Sequence, residues 1–283
     1  MSFKMKSINK VASSLPGLLL LLFGCQSSPV VPEETQIVLQ AYLYAEQPVT
    51  DITVMLSRPI SSSDTANAML ANASVSLIKG GRQYLLAPSP QNPGEYYYAG
   101  TELQVQPGDQ FKIDVTYNGI TATAETVVPG KPVGLSISTS TVVFTADTVT
   151  TPFGGTIERL TSSDSVLVSW DNASQLPYYV VVESEDSARQ PLRSDTLRDF
   201  NPIGRFLTEP TTDDYYRVPQ SDFNYTGKYK ITLYRVNQEY VDLYASRQQD
   251  SRSLNEPHTN VKNGLGIFTA FNSDSVFFSV RKE

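Results

Sequence analysis

The sequence predicts an all-β protein that contains two β-sandwich domains. Apolar residues alternate with polar ones in many short runs, which is the pattern of strands that bury one face. Turn-forming residues separate these runs, and the chain has 18 Pro and 16 Gly. One β-sandwich needs about 100 residues, so a chain of 283 residues has room for two.

The patterns divide the chain into four segments. Residues 1–24 are predicted to be a signal peptide and residues 25–35 a polar tether. Residues 36–130 then form an N-terminal β-sandwich, and residues 131–283 form a C-terminal one with a short inserted helix. We place the boundary at Val128–Pro132 because Pro and Gly cluster there, as they do in links between domains.

The N-terminal segment has the pattern of a lipoprotein export signal. Three lysines within residues 4–10 precede the apolar run Leu15–Phe23, and Gly24-Cys25 follows as the cleavage site. This apolar run is shorter than the roughly 20 residues that cross a bilayer as a helix. The segment resembles the signals of bacterial lipoproteins, which implies that Cys25 is acylated and anchors the protein to a lipid membrane. The alternative is an ordinary secretory signal in which the cysteine is a coincidence.

The first predicted sandwich begins with two strands of period two. Ile37, Leu39, Ala41 and Leu43 share one face of the first strand, and Ile52, Val54 and Leu56 share one face of the second. A turn at Pro48–Asp51 separates the two strands. These alternating positions are the predicted start of the first core.

Two hairpins can be assigned a register from the sequence. The Gly80-Gly81 turn pairs Lys79 with Arg82, and the Asn118-Gly119 turn pairs Tyr117 with Ile120. Further pairs follow from each turn: Leu77 with Tyr84, Val75 with Leu86, Thr116 with Thr121, Val115 with Ala122, Ile113 with Ala124, and Lys112 with Glu125. In each hairpin the apolar pairs share one face, and in the second hairpin the polar pairs Thr116/Thr121 and Lys112/Glu125 lie on the opposite face.

The second predicted sandwich contains runs of the same kind at Leu135–Phe144, Ser165–Trp170, Tyr179–Glu183 and Lys228–Val236, with a last strand around Val276–Val280. A Trp that ends an early strand and a Tyr that opens a late one resemble the immunoglobulin and fibronectin type III sandwiches. Two insertions interrupt the pattern. Ser187–Phe223 is predicted as a long loop that is either functional or disordered. Asn237–Gln249 is predicted as a helix that Asn237 caps and that has Tyr240, Leu243, Tyr244 and Arg247 on one face.

Charge and rare residues exclude several classes of function. The net charge is −7 and becomes more negative when the signal lysines are removed, so no nucleic acid partner is expected. A single cysteine forms no disulfide within the chain. His258 is the only histidine, so any His-dependent catalytic or metal site would depend on it alone. We therefore expect no enzyme activity, no cofactor and no metal site.

Other candidate residues have ordinary structural explanations. The carboxylate pairs Glu183/Glu185 and Asp213/Asp214 have no spacing that separates a catalytic pair from a solvated surface. The tyrosine runs Tyr96–Tyr98, Tyr178-Tyr179 and Tyr215-Tyr216 place neighbouring rings on opposite faces of a strand. One ring of each run is therefore available for contact with a sugar or a peptide, and packing at the rim of a sheet is the alternative.

The most specific motif is the run Asn260-Val-Lys-Asn-Gly-Leu-Gly-Ile-Phe268. With the signal, the early sandwich and the helix, it resembles a family of Bacteroidetes outer-membrane lipoproteins known as domain of unknown function four-two-four-nine. Asn263-Gly264 and Gly266 can take positive φ and fold the segment back, and Phe268 then leads into the core. Asn260, Asn263, Gly264, Gly266 and Phe268 are thus predicted to form either a structural turn or a binding loop.

The resemblance implies an accessory protein of the outer membrane, with a TonB-dependent transporter as its partner in nutrient capture. It implies no established chemistry. The predicted contact loops are Ser187–Phe223 and Glu256–Gly266, since both are long or rich in glycine. The alternative is a fimbrial or other structural surface subunit. The neutral residues Gln26–Ser28 after the cysteine leave both the periplasmic and the cell-surface face open.

Overall fold

A computed structural model describes residues 35–57, 68–162, 165–186, 190–192, 204–247 and 258–283, and the predicted signal peptide and Cys25 lie outside these ranges. The strands of the first half are β1 (Ile37–Tyr44), β2 (Asp51–Leu56), β3 (Ala68–Met69), β4 (Ser74–Lys79), β5 (Arg82–Leu85), β6 (Ala87–Pro88), β7 (Glu95–Tyr97), β8 (Gln110–Tyr117) and β9 (Ile120–Val127).

The second half contains ten described strands, one α-helix and a short 3-10 helix at Gln220–Asp222. The elements are β10 (Ser136–Ile137), β11 (Thr141–Thr150), β12 (Thr156–Thr161), β13 (Val166–Ser169), β14 (Tyr178–Ser184), β15 (Gln190–Pro191), β16 (Arg205–Leu207), β17 (Tyr215–Val218), β18 (Tyr225–Arg235), α1 (Gln238–Arg247) and β19 (Gly264–Lys282). The predicted all-β fold class is confirmed.

The first sandwich packs the sheet β5-β4-β8-β9 against the strands β1, β2 and β7. Its core contains the alternating residues of β1 that the sequence predicts, and Ile37, Leu39, Ala41 and Leu43 are all buried. Both predicted hairpins have the predicted register, with Lys79 opposite Arg82 and Tyr117 opposite Ile120. Their turn residues, including Asn118, have positive φ, as this turn type requires.

The second sandwich packs the sheet β10-β13-β17 against β14, β18 and part of β19. Val166, Val168 and Trp170 alternate into its core as predicted, and the Trp170 ring contacts Tyr178 at a centroid distance of 5.9 Å. Tyr229, which opens the predicted late strand, is buried and stacks on Phe278.

The two sandwiches share the last strand. Gly264–Phe271 of β19 pairs in parallel with β1, whereas residues 272–280 pair antiparallel with β18. Phe268 and Ala270 accordingly lie in the first core, and Phe278 lies in the second. The prediction that all of 131–283 belongs to the second sandwich is therefore corrected for the first half of β19, because a continuous strand of 19 residues is long enough to cross both cores.

The predicted loop Ser187–Phe223 is also corrected. Its described part contains β16, which pairs with β14, and β17, which pairs with β13. Leu192 is buried in the second core. Residues 187–189 and 193–203 of this insertion lie outside the described residues. A third short strand, β15, pairs with β18, so the polar composition concealed three short strands at sheet positions.

The predicted helix is present as α1, but the Asn237 side chain does not act as the sequence suggests. Its amide nitrogen donates to the Thr126 hydroxyl at 3.1 Å and to the Val127 carbonyl at 2.8 Å, so it ties the start of the helix to β9. Glu239 Oε1 accepts from the hydroxyls of Thr126 and Thr269. The helix therefore packs on the first sandwich although it follows a strand of the second. Within the described residues, no helix has the length and apolar character needed to cross a membrane.

Strands β11 and β12 form a long hairpin, and only the first part of β11 pairs with the second sandwich. Thr141–Phe144 pairs with β19, and the rest of β11 pairs with β12 over six residues. The turn between β11 and β12 holds Phe153, whose side chain is 99% exposed. The sequence did not single out this residue.

Candidate ligand-binding cleft

A cleft opens where the two sandwiches and helix α1 meet. It has a volume of about 210 Å³. Six aromatic residues line it: Tyr42 and Tyr44 from β1, Tyr179 from β14, Tyr240 and Tyr244 from α1, and Phe271 from β19. Asp51 and Leu243 complete the lining. We call this site the aromatic cleft.

Phe271 forms the floor of the aromatic cleft, since it is buried while the tyrosines around it are half-buried. Tyr240 and Tyr179 stand perpendicular to it, with interplanar angles of 84° and 87°. Tyr44 stacks on Phe271 at a centroid distance of 5.3 Å. Tyr179 also stacks on both Tyr234 and Tyr240, at centroid distances of 4.9 and 5.7 Å, so the rings pack on one another as a continuous aromatic lining.

The local sequence explains how each ring reaches the cleft. In β1, Tyr42 and Tyr44 alternate with the core residues and so point away from the first core. Tyr179 likewise faces opposite to the buried Tyr178. Tyr240 and Tyr244 are four residues apart on α1 and share one helix face. The continuous strand β19 brings these separate faces together around Phe271.

Burial raises the pKa of several ionisable side chains in the cleft. It raises the pKa of the Tyr44 hydroxyl, and the adjacent Asp51 carboxylate raises it further. Tyr44 donates a hydrogen bond of 3.3 Å to Asp51 Oδ2. Partial burial also raises the pKa of the Asp51 carboxyl, and the hydrogen bond from Tyr44 opposes that shift. The pKa of Tyr179 is raised by burial first and then by the neighbouring Tyr240.

The family-like motif lies apart from the cleft and has structural contacts. The side-chain amide of Asn260 donates to the Phe268 carbonyl at 2.7 Å and accepts from the Phe268 N–H at 2.9 Å. Lys262 forms a two-way backbone bridge with Thr123 of β9. These contacts fasten the motif segment between β19 and the edge of β9.

The glycines of the motif act in two different ways. Gly266 has a φ of 105°, and a side chain there would collide with the Leu39 carbonyl oxygen of β1. Gly264 does not have positive φ, so this part of the prediction is wrong. A Cβ at Gly264 would lie 2.7 Å from the Ile37 carbonyl oxygen, so close strand approach explains this glycine. Asn263 takes the positive φ instead.

The remaining candidate residues do not converge on the aromatic cleft. His258 is exposed and lies 3.6 Å from the Asp242 carboxylate. Glu183 lies 3.6 Å from Arg205 and 3.9 Å from Lys230. Asp213 and Asp214 are exposed. In the described part of the chain, no three His, Cys, Asp or Glu side chains cluster in a way that could hold a metal ion.

The tyrosine runs divide as predicted, with neighbouring rings on opposite faces. Tyr96 is buried, and its hydroxyl donates to the Leu70 carbonyl. Tyr215 is exposed, whereas Tyr216 packs against the second core. Of these runs only Tyr178-Tyr179 contributes to the aromatic cleft.

Sequence reasoning missed the other cleft residues of the first sandwich. Tyr42 and Tyr44 occupy the face of β1 that alternation assigns to solvent, and Asp51 falls in the predicted turn. Aromatic residues on the outward face of the first strand are the signal that could have found them, because a solvated face usually has polar residues. Tyr240, Leu243 and Tyr244 were recognised as one helix face, but the partner of that face was not.

Comparisons with known proteins give a family and a distant structural match. The model of the family described as domain of unknown function (DUF4249) matches residues 26–276. A crystal structure of the FN1–FN3 domains of chicken CNTN1 is 12% identical, and the match covers 86% of this chain and 66% of that one, slightly less than two thirds of its length. The TM-score is 0.29, so nothing further is inferred from it. No curated protein matches the chain.

Proposed function

This chain belongs to the DUF4249 family, and we propose that it is a lipid-anchored outer-membrane protein that works by binding a small ligand. It acts as the accessory of a TonB-dependent transporter in nutrient capture. Acylated Cys25 holds it to the membrane, as the pattern of Leu15–Cys25 favours.

The observation that carries the proposal is the aromatic cleft. Concave sites lined by aromatic side chains with a few polar groups are the usual form of small-ligand sites. Here six aromatic side chains line the cleft together with a single carboxylate, that of the exposed residue Asp51. The rings provide apolar contact area for a ligand. The hydroxyl of Tyr44 and the carboxylate of Asp51 can orient that ligand through hydrogen bonds. Such a lining suits capture and release of a small molecule.

A second feature supports a partner at the membrane. Phe153 stands fully exposed at the turn of the β11–β12 hairpin. An exposed aromatic residue on a projecting hairpin is an efficient contact for another protein, because aromatic residues contribute much of the binding energy at interfaces. We assign this hairpin turn to the transporter contact, in place of the predicted loops Ser187–Phe223 and Glu256–Gly266.

The test is mild extraction of the native protein with a non-ionic detergent, followed by affinity purification and mass spectrometry. We expect a TonB-dependent barrel to co-purify with the wild-type protein. Recovery of the lipoprotein alone contradicts the accessory role, and recovery of long homopolymers supports the structural-subunit alternative.

The anchor has its own test. In Cys25→Ala the acyl acceptor and the processing site are both lost, so we expect the protein to leave the membrane fraction or to keep its signal peptide. A processed Cys25→Ala protein that still fractionates entirely with the outer membrane contradicts lipid anchoring. Protease treatment of whole cells then decides between the periplasmic and the cell-surface face.

A further inference from the structure

Strand β17 ends a sheet and has an unpaired edge. Among the described strands it pairs only with β13, because the sheet order is β10-β13-β17. The Trp170 N–H donates to the Asp214 carbonyl, and residues of an antiparallel pair alternate between bonded and non-bonded positions. The backbone N–H and C=O groups of Tyr215 and Arg217 therefore point away from β13. Within the described part of the chain, these groups have no hydrogen-bond partner.

The same two residues also have exposed side chains. Tyr216 packs against the second core, so Tyr215 and Arg217 share the opposite face of β17. The side chain of Tyr215 is 56% exposed. Arg217 is exposed as well, and one of its guanidinium nitrogens donates to the Ser165 hydroxyl at 2.7 Å. An unpaired edge with an exposed aromatic ring is a surface that another strand can join.

A second copy of the chain matches this edge. Two identical strands pair antiparallel when a two-fold axis relates them. With the axis through Tyr216, Tyr215 of each copy lies opposite Arg217 of the other. Every free N–H and C=O group of these two residues then gains a partner. The pairing also brings a guanidinium against a tyrosine ring in each half, which is an attractive cation–π contact.

Other positions of the axis satisfy the edge less well. An axis through Asp214 or Tyr215 needs the N–H of Asp213, which already donates to the Thr211 hydroxyl at 3.1 Å. An axis through Arg217 puts two cations directly opposite each other, which destabilises a strand pair. Hydrogen bonding and charge thus select the axis through Tyr216.

We infer that two copies of this chain pair through β17 about a two-fold axis at Tyr216. Such an interface closes at two copies, unlike the contacts of a polymer. A short strand pair buries less than the roughly 1,200 Å² of a stable interface. We therefore expect a weak dimer that forms where copies are concentrated, as on a shared membrane. The dimer goes beyond the proposed accessory role and uses neither Phe153 nor the lining of the aromatic cleft.

The experiment traps the dimer with a disulfide. Cells produce two full-length chains with different tags, one with Tyr215→Cys and the other with Arg217→Cys, and are oxidised with copper phenanthroline. In the proposed register these two positions lie opposite each other with Cα atoms about 5.5 Å apart, within the roughly 4.4–6.8 Å that a disulfide spans. The other half of the interface keeps its Tyr215–Arg217 contact. We expect a disulfide-linked product that contains both tags.

Each variant produced alone is the control for register. Two copies of position 215, or two of position 217, are offset by two residues and lie about 8 Å apart, which is too far for a disulfide. We expect at least about tenfold less dimer from either variant alone than from the mixture. The wild-type chain, which has only Cys25, measures any disulfide at that position.

A second measurement tests the Tyr215–Arg217 contact without cysteines. Two differently tagged copies are extracted mildly, and the recovery of one with the other is measured. Arg217→Glu should reduce this recovery several-fold, whereas Tyr215→Arg combined with Arg217→Tyr keeps a cation opposite a ring and should restore it. Arg82→Glu, an equal charge change at an exposed residue outside β17, should have no effect.

Three results overturn the inference: no disulfide-linked product from the mixture, equal dimer from the mixture and from either variant alone, or equal recovery in Arg217→Glu and the wild type. Higher oligomers of the wild-type chain would also contradict a contact that closes at two copies. A transporter that co-purifies with a chain that does not dimerise leaves the accessory role intact. A β17 dimer without any transporter has the opposite meaning.

Discussion

A single amide side chain completes the hydrogen bonding of β19 at Phe268. Asn260 both donates to and accepts from the backbone of this residue, as a neighbouring strand would. The Phe268 ring is fully buried in the first core. Buried backbone groups need such partners, since a lost partner costs about 1–3 kcal/mol. The motif thus acts at the residue scale as a structural closure of the first sandwich.

Asn260→Asp is expected to lower the free energy of unfolding by about 1–3 kcal/mol at neutral pH, because a carboxylate cannot donate to the Phe268 carbonyl. Chemical denaturation measures the change. Asn263→Asp is the matched control, since Asn263 is exposed and makes only a 3.3 Å bond to the Thr121 carbonyl. Equal losses in the two variants would show that the Asn260 hydrogen bonds contribute no more to stability than the hydrogen bond of Asn263.

Gly266 is constrained by both its φ and its neighbour. Gly266→Ala is expected to destabilise the protein by about 3 kcal/mol, because the new Cβ meets the Leu39 carbonyl between β1 and β19. Gly154→Ala is the control: it has a φ of 80° but open space around it, so we expect about 1 kcal/mol there. Thermal melting compares the two variants. Gly154→Ala measures the cost of a positive φ alone, and the extra loss in Gly266→Ala measures the collision of the new Cβ with β1. Similar losses in the two variants would rule out that collision.

Half-buried tyrosines make stability sensitive to alkaline pH. In the unfolded chain a tyrosine ionises near pH 10, whereas burial raises the pKa of Tyr179 in the folded protein. The unfolded state therefore gains from ionisation first, and stability falls as the pH rises above about 10. Tyr179→Phe should reduce this fall and leave the melting temperature at pH 7 nearly unchanged. An unaltered alkaline profile would contradict burial of the Tyr179 hydroxyl.

At the scale of elements, the two hairpins were predictable because their information is local. Gly80-Gly81 and Asn118-Gly119 fix the turns, and a two-residue turn then fixes every following pair. Strands β16 and β17 were not predictable in this way. Their positions in the sheets are set by β14 and β13, which are far away in sequence. Apolar and polar residues also do not alternate clearly around Arg205 and Tyr215.

The β11–β12 hairpin gives a prediction at this scale. Phe153→Ser is expected to change the free energy of unfolding by less than about 0.5 kcal/mol, because the side chain is 99% exposed. The same variant should reduce co-purification of the TonB-dependent transporter that we propose as a partner. Phe278→Ser is the opposite control, since this buried ring lies in the second core and its loss costs about 3–5 kcal/mol. Transporter recovery that is unchanged in Phe153→Ser would remove the hairpin from the interface.

At the scale of the whole molecule, the aromatic cleft depends on contacts that no local pattern contains. Tyr44 and Tyr179 are far apart in sequence, and both approach Phe271 only because β19 runs through both sandwiches. Alternation predicted the inward face of β1 correctly, and it left Tyr42 and Tyr44 on the outward face. For Tyr178-Tyr179 it predicted only that the two rings lie on opposite faces, with ligand contact and packing at a sheet rim as alternatives. Tertiary packing decides which outward strand faces are covered by another element. A pattern within a short stretch of sequence does not contain this information.

The most direct test of the binding function is the content of the cleft in the native protein. Protein purified from its native source is denatured, and the released small molecules are identified by mass spectrometry. The wild-type protein should release a near-stoichiometric small molecule that is absent from Asp51→Asn and Tyr240→Leu but present in the Asp213→Asn control. Release of the same molecules at the same level from all four proteins, or of none from the wild type, would contradict a ligand site in the aromatic cleft.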